Sequence, residues 1–134
     1  MEIDHIAIWS PDIERLKDYY VRYFEGIANS KYINPKTQLQ SYFISFEASS
    51  RIEIMTIPEM EKTRYSSKKI QGYTHLAFAV NTMKEVDLKA QELEANGYEI
   101  VRGPRVTGDG YYEFETLDPD NNKIEVTAKY TEDR

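Results

Sequence analysis

Alternation of apolar and polar positions gives way twice along this chain to a helical period, and the two changes follow the same plan. Residues 2–9 alternate loosely, as a half-buried strand does. Ser10-Pro11 then reads as an N-cap with proline at the first helical position. Ile13, Leu16, Tyr20 and Phe24 recur at helical spacing, with Tyr23 beside them, and Gly26 marks a stop. Three further strands are predicted over roughly 28–34, 39–47 and 51–57. The second half repeats the plan. Residues 73–80 read as a strand and Thr82 to Glu85 as a capping box. Met83, Val86, Ala90 and Leu93 form the second stripe, and Asn96-Gly97 ends it with a pair prone to left-handed geometry. Strands are predicted over roughly 98–102, 111–117 and 122–130. Asp118-Pro-Asp-Asn-Asn122 makes the last turn, and Gly103-Pro104 with Gly108-Asp-Gly110 a looser loop.

The expectation is an α+β fold of two βαβββ repeats, 1–57 and 73–130, joined by a polar linker over 58–72 within one domain of 1–134. Neither repeat alone buries its sheet well. Pairing them lets two mixed sheets curve around a central cleft with the helices outside.

Strand alternation then places the chemistry. The chain has two histidines, and each opens an equivalent strand: His5-Ile-Ala-Ile-Trp9 and His75-Leu-Ala-Phe-Ala79. Each is followed far downstream by a glutamate between aliphatic residues, Ile52-Glu53-Ile54 and Ile124-Glu125-Val126. On the second repeat His75 shares a face with Ala77 and Ala79, while Leu76, Phe78 and Val80 face a predicted core. Duplicating an imidazole and a carboxylate in the same order points to one four-ligand site. Two nitrogen and two carboxylate donors suit a divalent transition metal better than calcium or magnesium.

Composition narrows the rest. A net charge of −6 disfavours nucleic acid and anionic membrane as partners. The absence of cysteine removes disulfides, thiolate catalysis and cysteine-ligated metals. Met-Glu-Ile-Asp-His is no signal peptide, and no segment has the length of a membrane span, so a cytoplasmic protein with a small-molecule partner is expected.

Four segments in order, His5-Ile-Ala-Ile, Arg51-Ile-Glu-Ile-Met, Tyr73-Thr-His-Leu-Ala-Phe and Asp118-Pro-Asp-Asn-Asn-Lys-Ile-Glu-Val, resemble the vicinal oxygen chelate superfamily over nearly the whole chain. That superfamily includes glyoxalase I, bleomycin and fosfomycin resistance proteins, methylmalonyl-CoA epimerase and extradiol dioxygenases. The full His-Glu-His-Glu set is most similar to bacterial-type glyoxalase I. The resemblance implies His5, Glu53, His75 and Glu125 as ligands of nickel, zinc or cobalt, and proton transfer beside a carbonyl with Glu125 or Glu53 as base. It also implies a homodimer, whose site forms within one chain or between two. Trp9 stands where glutathione-using members tend to carry arginine, and Met-Thr-Ile-Pro follows Glu53 where they often show asparagine, which speaks against glutathione as the thiol. Trp9, Arg51, Arg105 and Tyr111 or Tyr112 are the candidate substrate contacts, the tyrosines behind a glycine-rich lid. The alternative function is a non-catalytic drug-binding protein of the bleomycin-resistance type, and a ring-cleaving dioxygenase ranks third.

Overall fold

The computed structural model describes residues 1–61 and 68–132. Its chain divides into two compact units, Met1–Arg64 and Tyr65–Arg134. The middle of the predicted linker, residues 62–67, lies outside the described residues.

The first unit runs β1 (His5–Trp9), α1 (Ile13–Phe24), β2 (Ile27–Ala28), β3 (Tyr32–Ile33), β4 (Gln40–Ser45) and β5 (Arg51–Thr56). Its sheet is ordered β1-β5-β4-β2, with β3 also on β4. The second unit runs β6 (His75–Ala79), α2 (Met83–Ala95), β7 (Ile100–Val106), β8 (Tyr111–Leu117) and β9 (Lys123–Lys129), ordered β6-β9-β8-β7. In both units the first strand pairs in parallel with the last, and the other pairings are antiparallel. The fold is α+β, with two mixed sheets and one helix on each.

Helix boundaries follow from local hydrogen bonding. Thr82 and Glu85 form the predicted capping box, each side chain meeting the other's backbone N–H. At α1 the prediction misplaces the cap. The Ser10 N–H is held by the Met55 carbonyl of β5, so Ser10 continues the ladder, and its hydroxyl accepts from the Asp12 N–H. Asp12 becomes the N-cap and accepts from the Arg15 N–H. At the other end Glu25, not Gly26, takes the left-handed conformation, with φ 58°. Gly26 serves close approach instead: a Cβ there would stand 2.5 Å from Ile44 Cγ2.

The predicted strand 28–34 is two short pieces. Ala28 opposes Ile44 and Tyr32 opposes Ser41, so three residues on one side face two on the other. The surplus residue makes a bulge, and Asn29 spans it by donating its N–H to the Phe43 carbonyl and accepting the Phe43 N–H on its side chain. Conversely β7 continues through Gly103-Pro104, which sequence assigned to a loop. A register shift lies between Arg102 and Arg105, and Gly103 has φ 83° with no space for a Cβ against the Glu113 carbonyl.

The cores sit between helix and sheet. α1 buries Ile13, Leu16, Tyr19, Tyr20 and Tyr23 against Ile44, Ile52 and Ile54, while Phe24 is only half-buried. All four predicted stripe residues of α2 are buried, with Phe114, Ile124, Val126 and Ala128 below them. Leu76, Phe78 and Val80 are half-buried rather than core, because α2 packs over β7, β8 and β9 and leaves edge strand β6 lightly covered. Full burial of such side chains contributes about 1.5–3 kcal/mol each, so the centre of each sheet carries most of the stability. Among the described residues no helix is long and apolar enough to cross a membrane.

Each helix is also tied to its sheet by a phenol. Tyr42 donates to Glu14 at 2.9 Å, and Tyr112 donates to Asp87 at 2.6 Å. Lys31 bonds Glu14 and is the main cause holding that carboxyl below its ordinary 4.5. A depressed folded-state value stabilises above the unfolded value and is lost as pH falls through the folded one. Glu14→Gln is therefore expected to lower the melting temperature at neutral pH, with the gap to wild type closing near about pH 3. Melting curves at both pH values check this, and a gap unchanged with pH refutes the assignment.

Candidate metal centre

The two parallel strand pairs have the same register. His5 lies opposite Arg51 and Ala7 opposite Glu53; His75 lies opposite Lys123 and Ala77 opposite Glu125. Laterally paired residues share a face, as do alternate residues along a strand. Each sheet therefore presents its histidine and its glutamate on one face, offset by two residues on neighbouring strands. The flanking isoleucines and valine turn to the helix.

In the second unit the two groups meet. His75 Nε2 stands 2.9 Å from Glu125 Oε2, with the imidazole 34% and the carboxylate 12% exposed. Burial is the main cause that pushes the Glu125 carboxyl above its ordinary 4.5; His75 opposes this, and Glu113 and Glu115 on β8 reinforce it. Glu115 sits directly opposite Glu125, with Arg102 opposite Glu115 on its other side and Lys123 3.8 Å from it. A carboxylate short of water and flanked by like charge is stabilised by a cation.

Both imidazoles are oriented by the residue before them. Asp4 Oδ2 bonds His5 Nδ1 at 2.7 Å, and Thr74 Oγ1 bonds His75 Nδ1 at 2.7 Å. With Nδ1 engaged, Nε2 is the nitrogen left for a ligand, the arrangement that metal-binding histidines adopt. These residue types and orientations fit a divalent ion. Sequence reasoning missed Asp4 and Thr74; the signal was a hydrogen-bonding side chain immediately before each histidine. In the first unit His5 also packs edge-on against Phe43, with ring centroids 5.3 Å apart. Among the described residues no three histidine, aspartate or glutamate side chains gather closely enough to hold one ion. By register, each unit carries one histidine and one glutamate on the same face of its sheet.

The remaining candidates are dispersed. Trp9, 52% exposed, ends β1 on the His5 face. Arg51 is already engaged, its Nη2 2.6 Å from Asp4 and its guanidinium over the Phe43 ring. Arg105 lies opposite Glu113 on β7. Tyr111 begins β8, partly exposed on the Glu113 and Glu115 face. Tyr112 is core, bonded to Asp87. The expected glycine-rich lid is a tight hairpin turn: the Thr107 N–H donates to the Tyr111 carbonyl, the Tyr111 N–H donates to the Thr107 hydroxyl, and that hydroxyl reaches Asp109. A cavity of about 340 Å³ at the rim of the first unit, lined by Ile33, Gln38, Gln40, Thr56 and Ile57 among others, holds no imidazole or carboxylate.

Against known proteins, the model of the Glyoxalase/Bleomycin resistance protein/Dioxygenase superfamily matches residues 2–126. The uncharacterized protein YqjT of Bacillus subtilis (strain 168) is 27% identical over 132 residues, covering 92% of this chain and 96% of that protein. The crystal structure of a glyoxalase family protein from Enterococcus faecalis superposes with a TM-score of 0.75 at 25% identity, covering 94% of this chain and 96% of that one. Glyoxalase I from Zea mays superposes with a TM-score of 0.76 at 20% identity over 97% of this chain. This chain spans 45% of the maize chain's length, and that likeness shows the fold.

A raised folded-state carboxyl value has a stability sign opposite to that of Glu14. The folded protein prefers Glu125 protonated, so this residue costs stability as pH rises from its unfolded value through its folded one. Glu125→Gln is expected to raise the melting temperature of metal-free protein at neutral pH and to leave it unchanged near about pH 3. A variant less stable than wild type at neutral pH contradicts the strain assigned to this site.

Proposed function

Because the chain belongs to the Glyoxalase/Bleomycin resistance protein/Dioxygenase superfamily, we propose that it is a metal-dependent lyase or isomerase resembling glyoxalase I, moving a proton beside a carbonyl of a small α-oxo compound or its thiol adduct. The observation that carries this reading is the repeated register of the two histidine–glutamate pairs, with each imidazole held at Nδ1 by the preceding side chain. His5, Glu53, His75 and Glu125 would hold nickel, zinc or cobalt, the two pairs combining within one chain or across a homodimer. When bound, such an ion lowers the energy of negative charge that develops on a carbonyl oxygen as the neighbouring carbon loses a proton.

The chain's own groups then have distinct tasks. Glu125 takes the proton: its carboxylate is only 12% exposed and lies against His75, so little water competes for its oxygens. His75, against Glu125, fixes the carboxylate's position. Glu53, its counterpart by register, is the candidate to return the proton. Asp4 and Thr74 hold both imidazoles in one orientation, and the Asp4 carboxylate, which only accepts, also fixes the His5 tautomer. Trp9, Arg51, Arg105 and Tyr111 remain substrate-contact proposals, and Trp9 on the His5 face is the strongest aromatic wall. The reading includes a single domain spanning 1–134 that works in the cytoplasm as a homodimer.

Elemental analysis of untagged protein is expected to find one divalent transition metal per four-ligand set, and nickel, zinc or cobalt is expected to raise the melting temperature of stripped protein. With metal bound, hemithioacetals of several thiols are expected to be isomerised, and Glu125→Gln to reduce turnover by about 100-fold or more while metal is retained. Metal uptake without turnover of any adduct would remove the glyoxalase reading. Absence of both would favour a sequestering binder of the drug-resistance type.

A further inference from the structure

Two groups hold the His5 imidazole. Asp4 bonds its Nδ1 at 2.7 Å, and the Phe43 ring meets it edge to face, with centroids 5.3 Å apart. Arg51 grips both of them. It lies directly opposite His5 at the start of β5, on the same face. Its Nη2 stands 2.6 Å from Asp4 Oδ2, the same oxygen that His5 uses. Its guanidinium carbon lies 4.3 Å from the centre of the Phe43 ring. Asp4, His5, Phe43 and Arg51 thus close a ring in which each side chain touches two of the others. The backbone beneath is fixed as well. The Arg51 N–H donates to the Asp4 carbonyl at 3.1 Å, and the Ser50 hydroxyl donates to the Ile3 carbonyl. The Asp4 side chain is 70% exposed, and a side chain so exposed keeps one rotamer only where a further contact holds it.

We infer that Arg51 is a positioning residue: it acts on the proposed metal centre through His5, by holding Asp4 and Phe43 against the imidazole. The inference rests on the function proposed above and deepens it. The side-chain type matters. A guanidinium is a planar fork, so it lies flat on a ring while its edge bonds a carboxylate, and an ammonium cannot do both in that geometry. The bond to Asp4 runs through Nη2, so the rest of the fork leaves the substrate contact proposed above in place. The second unit is built differently. At the matching positions stand Lys123 opposite His75, Glu115 opposite Glu125 where Phe43 faces Glu53, and Thr74 before the histidine. Lys123 lies 3.8 Å from Glu115, and His75 rests against Glu125 at 2.9 Å. The clamp therefore serves the first unit's histidine.

Nitrogen-15 NMR of the imidazoles tests this in metal-free protein, where the chain's two histidines make His75 the internal control. The spectra are taken at about pH 8.5, above the range in which imidazole protonates. Wild-type His5 is expected in the single tautomer with hydrogen on Nδ1, because a carboxylate only accepts. Arg51→Met is expected to give His5 the signals of averaged tautomers and to leave those of His75 in place. Arg51→Lys, which keeps the charge without the fork, is expected to leave His5 averaged too. A surface pair that only steadied the fold would not move these signals. Separately, calorimetry with nickel alone is expected to show binding about tenfold weaker in Arg51→Met and in Asp4→Ala. The double variant is expected to lose about tenfold as well, rather than the roughly hundredfold of independent effects. Unchanged His5 signals in Arg51→Met, or a roughly hundredfold loss in the double variant, overturn this inference and leave the proposed function standing. Wild type that takes up no nickel overturns the proposed function and this inference together.

Discussion

One parallel contact governs each unit: its first strand lies beside its last, in a register that is the same in both. Parallel neighbours cannot be joined by a tight turn, so the helix and the antiparallel strands between them act as the long connection. That pairing brings together residues about fifty positions apart in sequence. A slip of one residue would turn Glu53 or Glu125 toward the helix and expose an isoleucine or valine on the other face. The apolar residues that flank each glutamate therefore also position it. Ile52, Ile54, Ile124 and Val126 are buried, and their burial fixes which way each carboxylate points.

The two units reach similar packing by different side chains. Each ties its helix to the middle of its sheet through a tyrosine and a carboxylate, but the tyrosines are not equivalent. Tyr42 lies opposite Ile54, whereas Tyr112 lies opposite Ala128, two residues further along than the matching Val126. The tie thus sits at different register positions in the two units. The common requirement is to satisfy a phenol under a helix. The chemistry-bearing pairs, by contrast, coincide in register.

Much of this was legible in the sequence because the signals were periodic. The α2 stripe, its capping box and strand β8 lie where the pattern placed them, and so do the duplicated histidine and glutamate strands. The failures were tertiary. Ser10 has the composition of a cap, but its N–H is claimed by Met55 on a strand forty-five residues away. Gly103-Pro104 reads as a break, yet the hairpin absorbs it as a shift in register. The bulge at Asn29 depends on a count of residues against β4 that no local pattern contains. At the site, Asp4 and Thr74 were visible only as polar neighbours of a histidine.

The two imidazoles have unequal neighbours. His5 leans on a carboxylate that it shares with Arg51; His75 leans on an uncharged alcohol. Electron density donated through such a bond strengthens the distal nitrogen as a Lewis base, and an anion donates more than an alcohol does. The two units thus hold a more and a less strongly supported imidazole, and exchanging Asp4 and Thr74 would invert that polarity without altering either histidine.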